Sequence, residues 1–86
     1  LFMLNSQFMD RRAQVLAKKI VAEAGDDQSR QVKSAFLLVL GRTPDEAEQM
    51  RSQALLQSAG SAAEQTRRLS MLCHALLNLN EFIYIP

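Results

Sequence analysis

The sequence predicts an all-α protein, a compact four-helix bundle with extended apolar terminal segments. Three observations lead there. Apolar residues recur at three- and four-residue steps through most of the chain, which places them on one face of a helix. Helix stop and start signals fall close together at Gly25–Asp27, Gly41–Pro44 and Gly60–Ser61. The connections they leave are short, and short connections fold helices into near-antiparallel neighbours.

The first helix is predicted from Ser6 to Ala24. Met9, Ala13, Leu16, Ile20 and Ala24 form its stripe, and Phe8, Ala17 and Val21 widen it. Asn5 or Ser6 is its cap. Gly25 ends it, and Asp26–Asp27 form the turn and the cap of the next helix. The second helix runs from Gln28 to Leu40, with Val32, Ala35, Phe36, Val39 and Leu40 inward. The apolar run Ala35–Leu40 marks it as the most buried and central helix.

The stretch Leu38–Glu48, LVLGRTPDEAE, closes one helix and opens another. Gly41 suits the left-handed conformation of a helix C-terminus. Thr43 is the expected cap of the third helix, Pro44 its first residue, and Asp45 and Glu46 favour its positive end. Thr43 and Glu46 have capping-box spacing. The third helix runs from Pro44 to about Ser58, with Ala47, Met50, Ala54 and Leu55 inward. The fourth starts at Ser61, where Ser61 and Glu64 repeat the capping-box spacing. Leu69, Leu72, Cys73, Leu76, Leu77 and Asn80 carry its stripe. Asn78–Pro86 alternates β-branched and aromatic residues, which favours extended chain.

Eighty-six residues make a single helical domain, residues 1–86. Ten Lys and Arg nearly balance nine Asp and Glu, which argues against a dedicated surface for nucleic acid or anionic membrane. No apolar run approaches the roughly 20 residues of a membrane span. The chain starts at Leu1 without an initiator Met and stops after the apolar run Phe82–Ile85. It reads as a piece of a larger C-terminal domain.

Candidate chemistry is sparse. His74 is the only histidine and Cys73 the only cysteine, so a disulfide within the chain and a multi-histidine metal site are both excluded. Adjacent helical residues point about 100° apart, which makes Cys73–His74 a poor nucleophile pair. Cys73 belongs to the core stripe and His74 to a surface or interface. Asp45, Glu46 and Glu48 cluster at a helix start, where capping explains the first two and a partner, Arg42 or Arg51, explains Glu48. The basic pairs Arg11–Arg12, Lys18–Lys19 and Arg67–Arg68 lack aromatic interleaving and a glycine-rich phosphate loop. They read as solvated faces, though a contiguous basic face would favour nucleic acid. Arg42 is the one polar residue that local rules do not require. It is expected to be a buried or half-buried organiser of the helix two–three corner, paired with Glu48 or Glu81.

Three motifs in this order, LFMLNSQF at Leu1–Phe8, LVLGRTPDEAE at Leu38–Glu48 and CHALLNLNEFIYI at Cys73–Ile85, resemble the C-terminal end of the planctomycete PSD-one family, a domain of unknown function. The resemblance spans essentially the whole chain but only the last part of the family's longer domain. By it, Arg42, Pro44 and Glu48 match the family's turn motif, and Asn78, Asn80, Glu81 and Phe82 match its terminal motif. Ser6–Gln7 departs from the family's usual acidic residue and proline. The family offers no catalytic residues to carry over. The resemblance implies a large, exported, envelope-associated parent, with heme confined to a separate cytochrome c-like module.

The expectation is therefore a non-catalytic structural or protein-interaction module with no cofactor or metal of its own. Its expected partners are upstream domains of the parent and, for the fragment, a second copy through the apolar ends; nucleic acid and a direct membrane span are not expected. A second reading makes the chain one wall of an enzyme or redox-protein site completed by upstream chain. A third, nucleic-acid binding, ranks below both.

Overall fold

Three of the four helices begin where a side-chain oxygen accepts from a free N–H, and the first two end at a glycine that reverses the backbone. The computed structural model describes residues 6–58 and 60–83, with side chains described for residues 7–58 and 60–80. Helix α1, Ser6–Ala24, is closed by Gly25 at φ +62°, whose N–H reaches the Val21 carbonyl at 2.8 Å. Helix α2, Gln28–Leu40, is capped by Asp27, whose Oδ1 accepts from the Arg30 N–H at 3.2 Å. Gly41 closes α2 at φ +72°, its N–H shared between the Phe36 and Leu37 carbonyls, both at 3.1 Å. Helix α3 is Glu46–Gln57 and helix α4 is Ala62–Ile83. The Ser61 hydroxyl caps α4 by accepting from the Glu64 N–H at 3.1 Å. The protein is an all-α four-helix bundle.

The core lies where α1, α2 and α4 meet. Alanines 13, 17 and 24 of α1 are buried, and small side chains let α1 lie close against α4, its most extensive partner. Ile20 from α1, Val32 and Phe36 from α2, Leu56 from α3, and Leu69, Leu72, Cys73 and Leu76 from α4 fill the space between. Each large apolar side chain buried this way contributes about 1.5–3 kcal/mol of transfer free energy. Helices α2 and α4 each touch all three others, whereas α1 and α3 do not touch. Centrality is thus shared between α2 and α4.

The limits of α1 and α2 agree with the sequence reading. Four expectations are corrected. The cap of α3 is Asp45, with Glu48 as its reciprocal partner, in place of Thr43 and Glu46; α3 starts at Glu46, and Pro44 precedes the cap. The inward face of α3 is not Ala47, Met50 and Ala54, which are exposed, Met50 at 66%. Gln49, Ser52, Gln53, Leu55 and Leu56 turn inward instead. Leu37 and Leu38 are exposed, so the apolar run of α2 is not buried all round. Finally, α4 continues through Asn78 to Ile83 where extended chain was expected: propagating an existing helix adds one hydrogen bond per residue, and that outweighs the weak β-preference of the segment. The terminal segments Leu1–Asn5 and Tyr84–Pro86 lie outside the described residues.

Candidate functional site

The densest polar arrangement is the corner joining α2 to α3. Asp45 Oδ1 accepts from the Glu48 N–H at 2.8 Å, and Glu48 Oε1 accepts from the Asp45 N–H at 2.9 Å. This capping box satisfies two of the N–H groups that a helix start leaves free. It also fixes the Glu48 carboxylate, which then takes Arg42 end on. Arg42 Nη1 donates to Oε1 at 2.8 Å and Nη2 to Oε2 at 3.0 Å. Nη1 also donates to the Thr43 carbonyl at 3.3 Å, and the guanidinium lies 5.7 Å from the centroid of the Phe36 ring. Arg42 therefore ties the end of α2, the linker and the start of α3 together.

Arg42 organises the corner as the sequence suggested, but from outside. Its side chain is 49% exposed and that of Glu48 20%. The Arg42 hydrogen bonds, then the Asp45 N–H, hold the Glu48 carboxyl at about 2, below its ordinary value of 4.5. A carboxylate held ionised, with both oxygens engaged, is a poor general base near neutrality. The side chain of Glu81, the other candidate partner for Arg42, is outside the described set.

A second polar seam, absent from the sequence reading, joins α2 to α3. Gln28 Nε2 donates to the Leu56 carbonyl at 3.2 Å, and Gln49 Nε2 donates to the Ser29 carbonyl at 3.2 Å and to Gln53 Oε1 at 2.9 Å. The Gln49 amide must point its NH₂ this way, because its neighbours are acceptors. Its Oε1 is left buried without a hydrogen bond among the described residues. Gln31 similarly donates to the Gly25 carbonyl and is nearly fully buried. Sequence periodicity had no means of finding this seam, since Gln28, Gln31 and Gln49 each donate to a backbone carbonyl about 6 to 28 residues away.

Between α1 and α4 runs an open groove of about 470 Å³, with Asp10 and Lys18 on one wall and Arg67, Ser70 and His74 on the other. Arg67 is held by Glu64, Nε to Oε2 and Nη2 to Oε1, both at 3.0 Å, and Arg68 Nε reaches Glu64 Oε1 at 3.0 Å. These two arginines hold the Glu64 carboxyl at about 2. His74 lines the groove half-buried, while Cys73 faces the core and is fully buried, its thiol pushed up to about 12 by burial. The two side chains point apart, as their adjacency on a helix requires. Heme attached through two thiols does not fit a chain with one cysteine. No group of three or more His, Cys, Asp or Glu residues is placed to share a metal ion among the described residues.

The sequence-derived motif residues are not gathered into one site. Arg42 and Glu48 meet at the corner, with Pro44 in the linker between them. Asn78 and Asn80 lie in the last turns of α4, and Glu81 and Phe82 belong to the same helix. No helix among the described residues is long and apolar enough to cross a membrane.

The PSD1 family, described as a protein of unknown function (DUF1553), matches residues 1–56. The match takes in α1, α2 and the corner motif and ends inside α3, ahead of the terminal motif. No curated protein and no solved structure matches the chain. With well over half of its residues matched, the chain belongs to the PSD1 family.

Proposed function

We propose that this member of the PSD1 family is a non-catalytic helical module that works by packing against other polypeptide, first of all upstream domains of its own parent. The observation that carries the reading is the set of large apolar side chains left on outer faces: Phe8 and Val15 on α1, Leu37 and Leu38 on α2, Met50 on α3 and Met71 on α4. Apolar side chains on several faces of a small domain suit a piece that is covered in its full-length setting. The polar constellations point the same way, since Arg42, Asp45, Glu48 and Glu64 are spent on caps and ion pairs. The reading extends to the parent as an exported, envelope-associated planctomycete protein, with any heme in a separate module. Co-expression of the chain with the upstream part of its parent tests it. The expected result is a stable complex with slowed amide exchange over α1 and the end of α2; two parts that stay separate would refute it.

The excised chain is also proposed to self-associate through its apolar ends, as a two-fold dimer. Light scattering on the chain, against a version ending at Glu81, checks this: truncation should abolish the dimer.

The α1–α4 groove supports a second reading, a wall of a site completed by upstream chain. Its Lys18, Arg67 and His74 would then face a ligand. Substituting His74→Ala in the full-length parent and measuring any activity found there separates the two readings.

A further inference from the structure

The near-neutral composition conceals a segregated surface on α1. Phe8, Arg11, Arg12 and Val15 are all exposed and share one side of the helix, and with half-buried Leu16 they line a concavity of about 400 Å³. Lys19 extends the same side by one turn and is exposed, while Lys18 stands at the edge of the face, where it lines the α4 groove. None of these four cations forms an ion pair or a side-chain hydrogen bond among the described residues. The helix's own carboxylates lie elsewhere: Asp10 turns to the α4 side, where it lines the groove and accepts from Gln14 at 3.1 Å, and Glu23 stands in the last turn. Among the described residues the arginines that meet carboxylates are Arg42, Arg67 and Arg68.

We infer that this face of α1 is a docking surface for an acidic amphipathic segment of another polypeptide, which sets an apolar side chain between Phe8 and Val15 and carboxylates against Arg11 and Arg12. The chemistry selects the occupant. Arginines free of intramolecular partners keep their paired donors for carboxylates. An aromatic and a β-branched side chain in a concavity take an apolar anchor, and interface cores are enriched in aromatic residues and arginine. A lipid surface is less well served, because membrane-surface helices present a broad apolar face and here only Phe8 and Val15 stand exposed, with two arginines between them. Nucleic acid is less well served still, because the space between the cations is apolar and holds one aromatic ring in place of a stacking row. A single helix face lies below the roughly 1,200 Å² of stable interfaces, so the contact is weak and salt-sensitive. This inference rests on the interaction-module reading and names the partner of one of its faces.

The test uses the whole chain and three probes: a fluorescent amphipathic peptide of about four turns with Leu on one face and Glu on its flanks, vesicles containing phosphatidylglycerol, and duplex DNA. Anisotropy, sedimentation and mobility shift read the binding. The expected result is saturable binding of the peptide. It should weaken about tenfold or more both in R11E/R12E and in V15D, and stay unchanged in K33E, whose cation lies on α2. All substituted positions are exposed, and circular dichroism checks that the helices persist. Absence of peptide binding, a preference for vesicles or DNA, or binding indifferent to V15D would each overturn the inference. If the upstream part of the parent binds wild type and R11E/R12E equally, the module reading stands and this inference falls.

Discussion

Helix α3 enters the core cluster through one fully buried apolar side chain, and that makes Leu56→Ala the most exacting test of the fold. Leu56 is 1% exposed, sits in the core cluster, and is the one fully buried apolar residue that α3 supplies. The other buried residue of α3 is Ser52, Leu55 packs against the core half-buried, and glutamine hydrogen bonds join the helix to α2. Removing a buried leucine side chain costs about 2–5 kcal/mol, the spread reflecting how far the site can collapse. An 86-residue domain has about 4–13 kcal/mol in total, so the loss is a large share of stability. At 3 kcal/mol the melting temperature should fall by about 12–24 °C. Met50→Ala is the matched control. Met50 lies on the same helix but is 66% exposed, and the change should stay within about 0.5 kcal/mol. Urea denaturation followed by circular dichroism measures both. Equal losses, or a larger loss for Met50→Ala, would mean that α3 buries its Ala47–Met50–Ala54 face after all and that its register here is wrong.

Acid should loosen the α2–α3 corner. The Glu48 carboxyl is lowered in the folded chain from 4.5 to about 2, so its contribution is fully present above 4.5 and is lost as pH falls toward 2. Glu64, also at about 2, acts over the same window. Arg42→Ala should therefore flatten part of the acid dependence between those limits while Glu64 retains its share, and carboxyl NMR titration of Glu48 should show its midpoint moving up. Because the pair is largely solvent-exposed, the loss at pH 7 should be modest and diminished by salt. Gly41→Ala places a Cβ at φ +72° with no neighbour within 4 Å, so its cost is backbone strain alone, about 1–2 kcal/mol by denaturation. Cys73, with its thiol at about 12, should resist thiol reagents at pH 8 in the folded protein and react once denaturant unfolds it; prompt labelling of the native chain would contradict its burial.

The parts of the fold legible in the sequence are those that stereochemistry decides locally. Gly25 and Gly41 adopt the left-handed conformation that marked the ends of α1 and α2, and Asp27 caps α2 as its position suggested. Cys73 lies in the core and His74 off it, which helical geometry alone required. The register of α3 was illegible for a physical reason. Its apolar side chains are small or flexible and only weakly one-sided, so periodicity chose Ala47, Met50 and Ala54. What turns the helix is the set of amide contacts to Ser29, and these exist only once α2 is in place. The cap was ambiguous in a similar way. Thr43–Glu46 and Asp45–Glu48 share the same spacing, and the second arrangement also gives Glu48 the guanidinium of Arg42. Charge balance was silent on placement, because a near-zero sum says nothing about where each sign lies.

The placement of α4 has a consequence for the order of events during synthesis. Helix α4, which like α2 touches all the others, is the last of the four to be made, and its leucines 69, 72 and 76 share the core with α1 residues some fifty positions earlier. The first three of these helices therefore leave the ribosome before the most extensive packing partner of α1 exists. Long-range closure of this kind slows folding and prolongs the time that sticky surface is available to neighbours. A chain stopped at residue 56 holds the whole family-matched stretch and lacks the piece that closes it. Such a truncated chain should remain an unsettled set of helices until α4 is supplied, even as a separate peptide, and the recovery of cooperative melting on adding that peptide would time the last step of assembly.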